Sequence, residues 1–165
     1  MIDLVNELKQ CFSNKLYRIA LNTALTIPDV CSALQSPSGK TKDNKYIAWF
    51  NKYVSPKYGL PVSGESIYKL RCASLHQGKL NHDYPDFEKI LFQLPSPDNN
   101  IIVCGRLDGA LLLNLKIFID NIIIGYEQWE IDNNNNEYLP INLDKMIKLR
   151  QEGLMPYIGG WPILC

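Results

Sequence analysis

The stretch Leu107–Tyr126 constrains this chain more than any other. It is the most apolar segment of the 165 residues, yet it carries Asp108, Asn114, Lys116, Asp120 and Asn121. Each of those groups would be costly in a bilayer, so no membrane span is expected here. The spacing predicts instead a helix over about Leu107–Ile131, with Leu112, Leu115, Ile119, Ile122 and Tyr126 in one stripe. A helix apolar on several sides has to be enclosed by other elements. The remaining sequence must therefore supply a shell around it.

That shell is mostly helical. Residues 2–25 predict one long amphipathic helix, with Leu4/Val5, Leu8, Cys11/Phe12, Leu16, Ile19/Ala20 and Ala24 recurring at steps of three and four. Pro28 is expected to stop or kink it, with Asp29–Gln35 adding a turn or two. Ser36–Lys40 predicts a loop. A second helix is expected over about Asp43–Tyr53, and Pro56, Gly59 and Pro61 make Ser55–Ser63 irregular. A third helix is expected over about Gly64–His76, with Ser63 as N-cap, Glu65 in the first turn and Gly78 as the stop. The strand signal lies in Lys89–Leu94 and Asn100–Cys104, which flank a Pro- and Asn-rich loop and predict a β-hairpin over about 89–104. Asp132–Glu137, with four successive Asn residues, predicts a loop, followed by a short helix around Leu143–Glu152. The tail 153–165 holds Leu154, Met155, Tyr157, Ile158, Trp161, Ile163 and Leu164. It is too apolar to be free and is expected to lie against the body or a partner. The fold class is thus mainly α: a single domain over 1–165, four-helix-bundle-like, with one inserted β-hairpin.

Seventeen basic and seventeen acidic residues cancel, so no global charge points to nucleic acid. Five cysteines, odd in number and never spaced C-x-x-C, argue against a disulfide framework and suit a reducing cytoplasm. Met1–Glu7 lacks a basic region followed by an apolar run, so a secretory signal is not expected. No phosphate-cradling Gly loop, G-x-S-x-G or H-E-x-x-H is present, which leaves kinase, hydrolase and protease readings without footing.

The functional signal is the octapeptide Arg71-Cys72-Ala73-Ser74-Leu75-His76-Gln77-Gly78. Arg offers a fixed fork for a phosphate, and His moves protons near neutral pH. Five helical residues rotate by about 500°, placing the two roughly 140° apart. They are expected to converge only if the helix unwinds near His76 or if two copies meet. A structural alternative has Arg71 paired with Glu65 or Asp108 and His76 capping the helix. Cys72 and His76, four apart, with His82, form a weaker candidate for metal ligation, and no metal or other cofactor is expected. Lys40, Lys42, Lys45, Lys52 and Lys57 alternate with Tyr46, Trp49, Tyr53 and Tyr58. That pattern fits either a base-stacking surface or a helix with its aromatics turned inward.

Arg, four intervening residues and His on one helix, within a four-helix arrangement, resembles the HEPN superfamily. The wider run Ile67–Gly78 is also similar to a stretch found in bacterial proteins. The resemblance implies a metal-independent ribonuclease, of toxin or defence type, acting as a homodimer with a composite site. Arg71 would hold the scissile phosphate and His76 would move the proton as the 2′-hydroxyl attacks. Lys69, Cys72, Gln77 and Lys79 would bind substrate, and an antitoxin-like protein would be a further partner. Active members often carry a polar residue after the Arg, where this chain has Cys72. That departure leaves open a non-catalytic module of the same fold, binding a nucleotide, RNA or a protein.

Overall fold

A computed structural model describes residues 3–58, 62–80, 82–96 and 104–165. Among these, helices dominate: α1 Asp3–Ser13, α2 Tyr17–Leu34, α3 Asp43–Tyr53, α4 Gly64–Gln77, α5 Leu115–Asp132 and α6 Tyr138–Leu143. Three strands, β1 Lys89–Gln93, β2 Cys104–Leu107 and β3 Ala110–Asn114, form a small sheet in the order β1-β3-β2. Helix α2 packs on α3, α4 and α5, and α3 packs on α4 and α5. The buried residues of α5, including Phe118, Ile122, Tyr126 and Trp129, lie at the centre of the core.

The expected helix over residues 2–25 is two helices. Ser13 Oγ and Asn14 Nδ2 both donate to Gln10 O at 2.9 Å, and Lys15 takes φ = 60°. Lys15 N then donates to Phe12 O at 3.0 Å and Leu16 N to Cys11 O at 2.9 Å, which closes α1 in a left-handed terminal turn. Conversely, Pro28 does not end α2, which runs on through it to Leu34. Proline removes one intrahelical N–H and leaves carbonyls of the preceding turn short of a donor. In that turn the buried Tyr46 hydroxyl of α3 donates to Leu25 O at 3.1 Å. At the far end of α2, the buried Asn142 Nδ2 donates to Leu34 O at 2.9 Å and Ser36 O at 2.8 Å, capping it from α6.

Helix α3 has its expected bounds, and α4 matches its expected start and stop. Ser63 Oγ accepts from Ser66 N at 3.2 Å, and Gly78 closes α4 in the left-handed region at φ = 63°. The expected apolar helix over 107–131 instead begins at Leu115. Asp108 and Gly109 have φ = 45° and 77°, which turns the chain between Leu107 and Ala110 as a two-residue hairpin loop. Asn114 then caps α5 by accepting from Ile117 N at 3.1 Å. The hairpin is therefore β2–β3 and not residues 89–104. β1 pairs in parallel with β3, in register Lys89↔Ala110 to Gln93↔Asn114. Residues Asn100–Val103 of the expected second strand lie outside the described residues.

The short helix expected around Leu143–Glu152 lies earlier, as α6, because capping of α2 draws Asn142 inward. Beyond it, β4 Leu149–Arg150 pairs with β7 Ile163–Leu164, and β5 Gly153–Leu154 with β6 Ile158–Gly159. The tail is thus a hydrogen-bonded arm, and most of its apolar side chains are exposed rather than packed on the body.

Gly64, the first residue of α4, fixes how closely α4 meets α3. Its N–H donates to Asn51 Oδ1 at 2.7 Å, and a Cβ there would stand 2.6 Å from Ile47 O. Backbone cannot retreat as a side-chain tip can. Gly64→Ala is therefore expected to cost about 1–3 kcal/mol, read as a lower urea midpoint at unchanged slope. An unchanged midpoint would show that the two helices do not approach this closely.

Candidate functional site

Helix α4 carries Arg71 and His76, and it stays helical through both. Neither unwinding nor a second copy is needed to bring them together: Arg71 Nη1 lies 3.2 Å from His76 Nε2 within one chain. Helical side chains lean toward the N-terminus, so the His76 ring tilts back over the turn that holds Arg71. The long Arg side chain closes the remaining distance. A guanidinium only donates, so in this contact Nε2 is the lone-pair nitrogen of the imidazole.

What aims Arg71 is Asp29, one residue beyond Pro28 on α2. Arg71 Nε donates to Asp29 Oδ2 at 2.7 Å, with 21% and 14% of the two side chains exposed. The expected partners Glu65 and Asp108 play no part. Glu65 lies 3.9 Å from Lys69 Nζ, and Asp108 forms the hairpin turn. A second cross-link, Ser74 Oγ to Asn22 Oδ1 at 2.6 Å, joins α4 to α2 farther along the same seam. Asp29 and Asn22 are seven apart, hence two turns on one face of α2.

Burial pushes the Asp29 carboxyl above its usual range, with the charge and hydrogen bond of Arg71 pulling it back. Burial opposes the Arg71 charge, but the Asp29 carboxylate and Cys72 together more than offset this and raise the guanidinium above its ordinary value. The pair is net neutral. Arg71 therefore acts through directed N–H donors more than through free charge, and Nη2 has no partner among the described residues. His76 is exposed at the C-terminal end of α4, so a ligand can reach the imidazole from solvent.

The other expected site residues divide. Cys72 lies beside the pair, its Sγ 4.0 Å from Arg71 Nη1, a weak contact. Tyr68, one turn before Cys72, is half-buried against Tyr46 at 5.3 Å between ring centres. Burial, and then Cys72, push its phenol pKa up. Lys69 is not part of the site: its Nζ donates to Asp83 O at 2.9 Å. Gln77 and Lys79 are exposed around Gly78, and neither hydrogen-bonds the pair. Cys72, His76 and His82 do not gather as ligands. Among the described residues no three His, Cys, Asp or Glu side chains are placed to hold a metal ion.

The lysine–aromatic interleaving of α3 is not a stacking surface. Tyr46, Trp49, Tyr53 and Tyr58 are all buried, while Lys45 donates to Ser36 Oγ and Lys52 pairs with Asp132 at 2.8 Å. Sequence reasoning missed Asp29 because Pro28 was expected to stop or kink the helix, which leaves the direction of the next side chain open. The available signal was the polar spacing of Asn22, Thr26 and Asp29, which continues a helical face past the proline.

No family model, curated protein or solved structure matches this chain. Among the described residues no helix is long and apolar enough to cross a membrane.

The ion pair predicts a pH-dependent stability. In Arg71→Met the Asp29 carboxylate is left largely buried without its cation, a loss of about 2–4 kcal/mol at neutral pH. Without the cation, only burial acts on Asp29, so the folded state holds its proton more tightly than the unfolded chain. The penalty is therefore fully present above the raised folded-state value, and it fades as the pH falls toward the ordinary carboxylate range. Adding Asp29→Asn should restore most of the loss in a double-mutant cycle read by urea denaturation. A deficit that is constant with pH would sink this account.

Proposed function

We propose that this chain is a HEPN-like, metal-independent endoribonuclease with Arg71 and His76 as its catalytic residues. The observation that carries the reading is the 3.2 Å contact between Arg71 Nη1 and an exposed His76 Nε2 inside one subunit. The two side chains can therefore grip one anionic group together. In the proposed reaction Arg71 Nη1 turns from His76 Nε2 onto the phosphate, and the freed Nε2 lone pair takes the proton of a ribose 2′-hydroxyl. The 2′-oxygen attacks phosphorus, the P–O5′ bond breaks, and the 5′-oxygen leaves with a proton from solvent. The product is a 2′,3′-cyclic phosphate. Arg71, held by Asp29, donates to a non-bridging oxygen as negative charge builds there. Cys72 and Tyr68 border this space, and Gln77 and Lys79 flank its open side.

The packing of α2 and α3 on each other and on both α4 and α5 supports the four-helix-bundle-like domain that this reading implies. The same reading places the chain in the cytoplasm as a homodimer, with RNA as substrate and an antitoxin-like protein as partner. A non-catalytic module has one observation in its favour. The net-neutral Asp29–Arg71 pair gives weaker anion attraction than a free guanidinium, which suits a directional nucleotide contact as well as catalysis.

Purified protein should cut single-stranded RNA in excess chelator and leave cyclic phosphate ends. His76→Ala should lower cutting by at least about 100-fold while shifting stability by no more than about 0.5 kcal/mol, since the side chain is exposed. Arg71→Lys, which cannot donate to Asp29 and a phosphate through one planar fork, should also lose cutting. Binding of RNA without cleavage would favour the module reading, and neither binding nor cleavage would remove RNA from the account.

A further inference from the structure

The chain beyond α6 folds into an arm held by backbone hydrogen bonds along its length. Lys148 N and O pair with Cys165 O and N, β4 with β7 and β5 with β6, and Gly160 N donates to Glu152 O at 3.1 Å. Such pairing holds side chains in fixed positions. The arm uses that order to hold large apolar groups in water: Met155 is 76% exposed, Tyr157 84% and Trp161 70%. Residues 153–165 carry no charged side chain. Ordered apolar groups on this scale mark an interaction surface.

A cavity of about 610 Å³ opens beside the base of the arm. Leu34 of α2, Leu139 and Leu143 of α6, and Ile147 form part of its walls, with Leu149 and Leu164 from the arm itself. Asp3, Glu7, Glu130 and Lys148 also line it, so an uncharged insert meets no like charge there. The volume lies within the range that encloses a drug-sized group, enough for more than one aromatic side chain. The arm cannot fill the cavity of its own chain. Its base is one wall, so turning the tip inward would break the Leu149↔Leu164 and Arg150↔Ile163 pairs.

We propose that the occupant is the arm of a second copy. The arm that carries the tip also forms part of the cavity wall through Leu149 and Leu164, so a two-fold pairing of copies can seat each tip in the other's cavity and close the assembly. The size is sufficient. An aromatic side chain buries about 150–250 Å², and Tyr157, Trp161 and Met155 at the tip are each at least 70% exposed, with Ile147, Leu149 and Leu164 exposed beside them. A standard stable interface needs about 800 Å² per partner. The cavity takes no residue from α4, so this contact is separate from the Arg71–His76 pair and does not rest on the ribonuclease reading.

Sedimentation from about 1 to about 100 µM should show conversion to a dimer. Trp161→Glu alters the knob and Ile147→Glu the cavity edge; both residues are exposed in the single chain, and circular dichroism checks that each variant folds. Each should raise the dissociation midpoint at least about tenfold. Mixing the two variants should restore part of the association, because the mixed dimer keeps one intact knob and one intact cavity. RNA binding or cutting, where present, should be unchanged in both. Wild type that stays monomeric throughout overturns the proposal. So does a dimer indifferent to both variants, which would place the contact elsewhere. A dimer weakened by Trp161→Glu alone, with no rescue on mixing, overturns the cavity as receptor.

Discussion

The carboxylate of Asp29 bonded to the guanidinium of Arg71 is the interaction on which the candidate site depends. It crosses from α2 to α4, and it exists because α2 does not stop at Pro28. A helix ending at that proline would leave the next residue without a fixed direction. Continuation requires that the disturbed turn before Pro28 be served from outside, and the Tyr46 hydroxyl from α3 does this at Leu25 O. Three helices are thereby committed to one small region. A buried phenol satisfies a carbonyl, a carboxylate one turn on holds an arginine, and the arginine meets a histidine.

The consequences for chemistry follow from charge and direction rather than from charge alone. An unpaired arginine on an exposed helix face would bind anions in many poses. Tying Nε to Asp29 removes that freedom and neutralises the net charge, leaving the remaining N–H groups aimed beside an imidazole lone pair. Such a site is poor at attracting a polyanion from a distance and good at orienting one already bound. It gains in precision what it gives up in reach.

The two apolar features of the chain have opposite fates. The segment from Leu115 onward buries one broad face, with Phe118, Ile122, Tyr126 and Trp129, in the core, while the apolar tail is held out in water by its own backbone hydrogen bonds. Both read as "too greasy to be exposed" in composition, and only the first is buried. The difference lies in what each segment does with its peptide groups. A helix satisfies them internally and can be surrounded by side chains, whereas a narrow two-stranded arm satisfies them laterally and leaves both faces bare.

Local chemistry was enough to place α3 and α4, because caps and stops act over three or four residues: Ser63 and Gly78 bound α4 from its own sequence. It was also enough to single out Arg71 and His76, and to predict a mainly α chain. It did not yield the partition of residues 104–132, although Asp108-Gly109 and Asn114 carried a turn and a cap. Apolar content over that run masked a change of period from two to 3.6. What only the tertiary structure decided are the contacts between distant segments: β1 beside β3, Tyr46 under Pro28, Asn142 at the end of α2, and Asp29 on Arg71. Those pairings are set by which helix faces meet. No spacing within a single segment encodes the partner that a polar group will find some forty residues away.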